Sequence, residues 1–82
     1  MELREKIVEM IIGKAAALQK VDPSTLNEQT DLARDLSMKS GNLVLIIGAI
    51  EDEYDCNIDF MAFRKKATIG AAAEYVAELI EG

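Results

Sequence analysis

Apolar residues recur at helical spacing in three stretches of this chain, and nowhere do they alternate as a half-buried strand requires. Over residues 2–19, Leu3, Ile7, Met10, Ile11 and Leu18 share a face that Val8 and Ile12 widen. Lys14 falls inside that stripe, where its aliphatic stem can lie along apolar surface while its ammonium reaches water. Over residues 40–54, Leu43, Ile46, Ile47, Ile50 and Tyr54 share a face. In the last stretch Thr68 suits an N-cap, and Ile69, Ala72, Ala73, Val76, Leu79 and Ile80 form an inward stripe opposite Glu74, Glu78 and Glu81. Between the second and last stretches, the segment from Asp55 to Ala67 has room for one short helical turn around Ile58, Phe60, Met61 and Phe63. With 82 residues to place, this predicts an all-α bundle of three main helices and one short one, a single domain over residues 1–82.

The long connection between the first two helices, from Lys20 to about Lys39, has no sustained period. Connections of that length are functional or pinned down, and Val21, Leu26, Leu32 and Leu36 read as the pins. Asp22 followed by Pro23 reads as a turn or a single capped helical turn.

Composition narrows the function classes. The lone Cys56 rules out an internal disulfide, and with no His the usual zinc sites and His-based catalysis are excluded. The net charge is −6 and unevenly spread: residues 21–59 carry nine acids against Arg34 and Lys39, a balance of −7. That field disfavours nucleic acid and anionic membranes and favours basic protein partners. The longest apolar run, Leu43 to Ile50, is far shorter than the ~20 residues that span a bilayer, and acids at positions 2, 5 and 9 suit no signal or transit peptide. A cytoplasmic monomer is expected. Asp55-Cys56-Asn57-Ile58-Asp59 opens like a calcium loop, but Phe60 stands where Gly is needed and Lys66 where Glu is needed. Cys56 reads as filler, and Arg64-Lys65-Lys66 as a solvated face.

The second helix is apolar nearly all round. In so small a bundle it cannot be wrapped on every side, so Val44 and Leu45, opposite its core face with Gly41, Gly48 and Asp52, are expected to be exposed as a docking surface. The alternative has them covering part of the long connection.

Just before that helix stands Asp35-Leu36-Ser37-Met38-Lys39-Ser40-Gly41-Asn42. This stretch resembles the signature of the acyl carrier protein family, a four-helix bundle in which Asp-Leu-Gly and an Asp-Ser-Leu open the second helix. Thr30-Asp31-Leu32 before it, Ala49-Ile50-Glu51-Asp52-Glu53-Tyr54 and Ile58-Asp59 after it, and Thr68-Ile69-Gly70-Ala71-Ala72 extend the resemblance over essentially the whole chain. It implies that Ser40 bears a 4′-phosphopantetheine arm, placed there from coenzyme A by a separate phosphopantetheinyl transferase. A serine at a helix amino terminus suits this physically, because unpaired N–H groups and the positive dipole end favour a phosphodiester; the other reading of Ser40 is a plain N-cap. The resemblance further implies a non-catalytic carrier of acyl thioesters for acyl-loading and acyl-processing enzymes of lipid or polyketide-type biosynthesis. Its acyl chain would lie in the interior among Ile47, Ile50, Ile58, Phe60 and Ala72, whose other role is simply core.

Three departures surround the serine: Lys39 for the usual Asp, Gly41 for the usual Leu, and Ser37 for the usual Gly. The exposed side of the helix also offers Leu45 in place of acids and Gly48 in place of a larger apolar residue, while Glu51, Asp52 and Glu53 come late. Lys39, Gly41, Val44, Leu45, Gly48, Glu51 and Asp52 are therefore the expected partner-binding residues of a specialised carrier. The chain begins with its own Met1, which favours discrete enzymes over a fused assembly line. The rival readings are an aminoacyl or peptidyl carrier and an unmodified interaction module.

Overall fold

The computed structural model describes residues 2–82; Met1, on which the preference for discrete enzymes draws, lies outside them. Helix α1 spans Leu3–Gln19, α2 Ser40–Tyr54, α3 Phe60–Lys65 and α4 Ile69–Glu81, with one 3-10 turn at Pro23–Thr25. This is the expected all-α bundle of three main helices and one short one. Among the described residues the sole β-type pairing outside helices is an isolated antiparallel bridge between Asp31 and Thr68.

Local chemistry sets the helix ends. The Asp22 carboxylate accepts the Ser24 N–H at 2.9 Å and starts the 3-10 turn, with Pro23 at its first position. Asp59 accepts the Met61 N–H at 3.0 Å at the head of α3, and the Thr68 hydroxyl accepts the Ala71 N–H at 3.2 Å at the head of α4. Helices α1 and α2 both end on residues in the left-handed region, Lys20 (φ 56°) and Asp55 (φ 50°).

Helix α1 packs most extensively against α4 and also against α2, while α3 bridges α2 and α4. Ile7, Ile11, Ile46, Ile50, Phe63, Ile69 and Val76 are completely enclosed where these helices meet. Removing each such side chain from water contributes about 1.5–3 kcal/mol. Two expected core positions differ. Leu79 is 43% exposed, because it sits in the final turn of α4, where the neighbouring helices no longer cover the side that buries Ala72. Val21 is 38% exposed, because the chain turns outward at Lys20 before the 3-10 turn.

Of the other expected pins, Leu26 and Leu32 are buried and Leu36 is half-buried, and Met38, also buried, joins them. It is also stitched by hydrogen bonds. The Ile69 N–H donates to the Thr30 carbonyl and the Gly70 N–H to the Glu28 carbonyl, both at 2.9 Å, so the connection satisfies donors that the first turn of α4 leaves open. Gly70 permits this approach: a Cβ there would come within 3.0–3.1 Å of Glu28. From the other side, Arg4 on α1 bonds the Glu28 carboxylate at 2.7 Å.

Candidate functional site

The head of α2 is set by the residues just before it. Met38 is buried and its N–H donates to the Leu32 carbonyl at 3.1 Å, which anchors the chain one residue before Lys39. Lys39 is extended and occupies the cap position without a side-chain cap bond; its carbonyl accepts from the N–H groups of Asn42 (3.0 Å) and Leu43 (3.1 Å). Ser40 is thus the first helical residue rather than the cap. It is exposed, and the Ser40 and Gly41 N–H groups are among the four donors that a helix start leaves without intrahelical partners. Ser37 holds a left-handed conformation (φ 53°), which accounts physically for the glycine that the resemblance leads one to expect there.

Beside Ser40 opens a cavity of about 480 Å³. Its buried lining is apolar, from Leu32, Met38, Leu43 and Phe63. The exposed charged residues of its lining, Lys39, Arg64, Lys65 and Lys66, are all basic, and half-buried Asp31 is the one acid. The Lys66 ammonium lies 5.6 Å from the centroid of the Tyr75 ring. The three consecutive basic residues read as a solvated face are exposed, yet the last turn of α3 and the residue that caps it bring them to the cavity at the head of α2. No signal in the sequence links positions 64–66 to position 40.

The expected partner-binding residues fall along the outer side of α2. Val44 (53%) and Leu45 (58%) stand exposed and do not cover the connection, Gly41 and Asp52 are exposed, and Gly48 is half-buried. Glu51 is half-buried and its carboxylate accepts the Ile58 N–H at 2.8 Å, so it holds the link between α2 and α3. Of the five residues expected along an acyl chain, Ile47, Ile50, Ile58 and Ala72 are packed in the core and Phe60 is half-buried at the start of α3. None of the five lines the cavity beside Ser40; its apolar lining comes instead from Leu32, read as a pin, Leu43, read as core, Phe63, read with the short helical turn, and Met38.

Cys56 lies away from this site. Burial, reinforced by the charges of Glu51 and Asp55, pushes its thiol above the ordinary range, the opposite of what a nucleophile needs. Among the described residues no group of three or more Cys, Asp or Glu is placed to hold a metal ion, and no helix is long and apolar enough to cross a membrane.

Comparison with known proteins agrees with this geometry. The family model described as "Phosphopantetheine attachment site" matches residues 9–76. An acyl carrier protein of Phaeodactylum tricornutum is 30% identical over 69 residues, covering 84% of this chain and 87% of that protein. An acyl carrier protein of Saccharopolyspora erythraea is 29% identical over 77 residues, covering 94% of this chain and 81% of that protein. Carriers of this kind work with phosphopantetheinyl transferases and acyl-processing enzymes and are in general not catalysts. The head of α2 fits such a group: an unengaged hydroxyl, open N–H donors, and cations beside an apolar cavity. The chain belongs to the acyl carrier protein family, whose members bear covalently attached 4′-phosphopantetheine.

Proposed function

We propose that Ser40 is the attachment point of the arm, and that the protein carries acyl groups to separate enzymes of lipid or polyketide-type biosynthesis in the cytoplasm, acting as a monomeric unit that catalyses nothing itself. The observation that carries this reading is the position of Ser40: exposed, first in α2, with Lys39 rather than Ser40 in the capping place. A capping serine would tie its oxygen to the backbone, whereas Ser40 leaves its Oγ available to a transferase. Once attached, the arm supplies a terminal thiol that holds an acyl group as a thioester. The chain's own residues then have three tasks. The open N–H groups of Ser40 and Gly41, with Lys39 beside them, favour the negative phosphodiester. Leu32, Met38, Leu43 and Phe63 offer an apolar recess next to the attachment point, and Ile47, Ile50, Ile58, Phe60 and Ala72 form the deeper core toward which a longer chain would extend. Val44 and Leu45 give partner enzymes an apolar landing beside Ser40.

The test is intact mass after incubation with coenzyme A, magnesium and a broad-specificity phosphopantetheinyl transferase. One phosphopantetheine is expected, located on Ser40 by fragmentation and absent from Ser40→Ala. No adduct from several transferases that modify a control carrier, or an adduct elsewhere, would overturn the assignment and leave an unmodified interaction module.

A further inference from the structure

Helix α2 is electrically polar along its outer side. At its head stand Lys39, Arg64, Lys65 and Lys66, three of them on the chain that follows α3 or ends it. At its tail stand Asp52, Glu53 and Asp55, all exposed, and Glu51. Fifteen residues at a rise of about 1.5 Å separate the two ends by about 22 Å. Neither group is neutralised by an ion pair: among the described residues the one ion pair is Arg4–Glu28, which involves none of these side chains.

Between the ends, Ser40, Val44, Gly48 and Asp52 follow one another at four-residue intervals, which places them on a single ridge. Val44 and Leu45 are more than half exposed. A Cβ at Gly41 or Gly48 would meet nothing within 4 Å, so packing within this chain does not call for a glycine at either place. A glycine in a helix interior costs about 1 kcal/mol relative to alanine. Here the missing side chains lower the ridge beside Ser40 and beside Val44, where another backbone could approach closely.

From this we infer that the enzymes using this carrier present a complementary surface: carboxylates around the place where Ser40 docks, an apolar patch for Val44 and Leu45, and basic side chains about 20 Å farther along. Ser40 as the attachment point gives this face its importance, since every such enzyme must reach it. The phosphodiester alone does not account for the head. It supplies a single negative charge, whereas the four cations exceed Asp31 by three, so positive charge remains after modification. A partner reading this helix through basic residues at Ser40 meets repulsion there and is drawn to the tail instead, with the arm turned away. Orientation as well as affinity is thus encoded in the order of the charges.

The decisive measurement is an amide-resolved NMR titration of the unmodified protein with an octaglutamate peptide at about 20 mM salt, where screening is weak. Shifts are expected at residues 39–43 and 63–67, and they should fade at about 300 mM salt. They should be lost in Lys39→Gln/Arg64→Gln/Lys65→Gln and kept in Lys6→Gln/Lys14→Gln/Lys20→Gln, which removes equal charge from exposed sites elsewhere. No shifts at the head, or equal loss in both variants, overturns the inference, as does movement of the α2 signals with protein concentration alone, which would seat a second copy on the ridge. A second arm compares loading by a transferase with a basic docking rim and by its rim-reversed, acidic form. The acidic form should load this protein severalfold faster, and Lys39→Glu/Arg64→Glu/Lys65→Glu should reverse that order. The basic form loading both proteins better also overturns it. Failure of Ser40 as the attachment point shows separately, as no adduct from either transferase, while the peptide titration still decides the surface.

Discussion

Ser37 shows how one residue can be placed against its own preference. A non-glycine residue in the left-handed region costs roughly 1–2 kcal/mol from the crowding of Cβ against the carbonyl oxygen. Ser37 accepts that conformation because Leu32 and Met38 on either side are both buried and bonded to each other, which dictates the path between them. Ser37→Gly should therefore raise stability by about 0.5–1 kcal/mol, the relief of strain less the greater freedom glycine has in the unfolded chain. Urea unfolding of the two proteins measures it, and a loss of stability would contradict the strain. At Ser40 the sequence pattern named the residue as a site candidate, but its rank within the helix was not legible there. Whether a serine is a cap or the next residue depends on where Met38 is anchored, a contact made with a residue six positions earlier.

Helix α2 and its link to α3 depend on Glu51 in a way its charge alone does not suggest. The sequence marks Glu51 as one acid of an exposed cluster; the fold turns its carboxylate toward the Ile58 N–H, a donor that otherwise has no partner beside a buried side chain. Glu51→Ala should cost about 1–3 kcal/mol and speed amide exchange at Ile58, because a largely buried donor would be left without its acceptor. Glu51→Gln keeps an oxygen at that place and should restore most of the protection. If Ala and Gln behave alike, the bond is not what holds the link. The connection between α1 and α2 teaches the same lesson at greater length. Its apolar pins at Leu26 and Leu32 were legible, but Asn27, Thr30, Asp31 and Asp35 hold it by bonds between side chains and nearby backbone, such as Arg34 N–H to Asp31 at 2.8 Å and Asp31 N–H to Asp35 at 2.8 Å. Bonds of this kind leave no periodic trace.

On the scale of the whole molecule, Arg4 and Glu28 join α1 to the connection, and the connection to α4 through the Gly70 N–H. The Arg4 hydrogen bond holds the Glu28 carboxyl below the ordinary glutamate range, against the smaller opposing effect of burial. Because the folded value lies below the unfolded one, the stabilisation is complete at neutral pH and is lost as pH falls through the carboxylate range toward the folded value. The Asp22 carboxylate, lowered by the Ser24 N–H, adds a contribution of the same sign. Urea midpoints taken between about pH 6 and pH 3 should therefore fall more steeply for the natural protein than for Glu28→Gln, which lacks the pair at every pH. Parallel curves would show that the pair contributes nothing to folding.

The sequence by itself determined the helices, most of their inward faces and the serine's place at the start of α2. Each follows from relations among residues a few positions apart, such as helical spacing, capping side chains and an ordered local motif. The exposure of Val44 and Leu45 followed as well, since a short bundle has too little surface to cover every side of an apolar helix. Only the tertiary structure decided that Arg64, Lys65 and Lys66 share a cavity with the serine, that Leu32 and Phe63 line that cavity too, and that Gly70 must pass under Glu28. Apart from Leu32, eight positions before the serine, these are meetings of residues 23 to 42 positions apart, and the bundle's packing, not any local preference, brings them together.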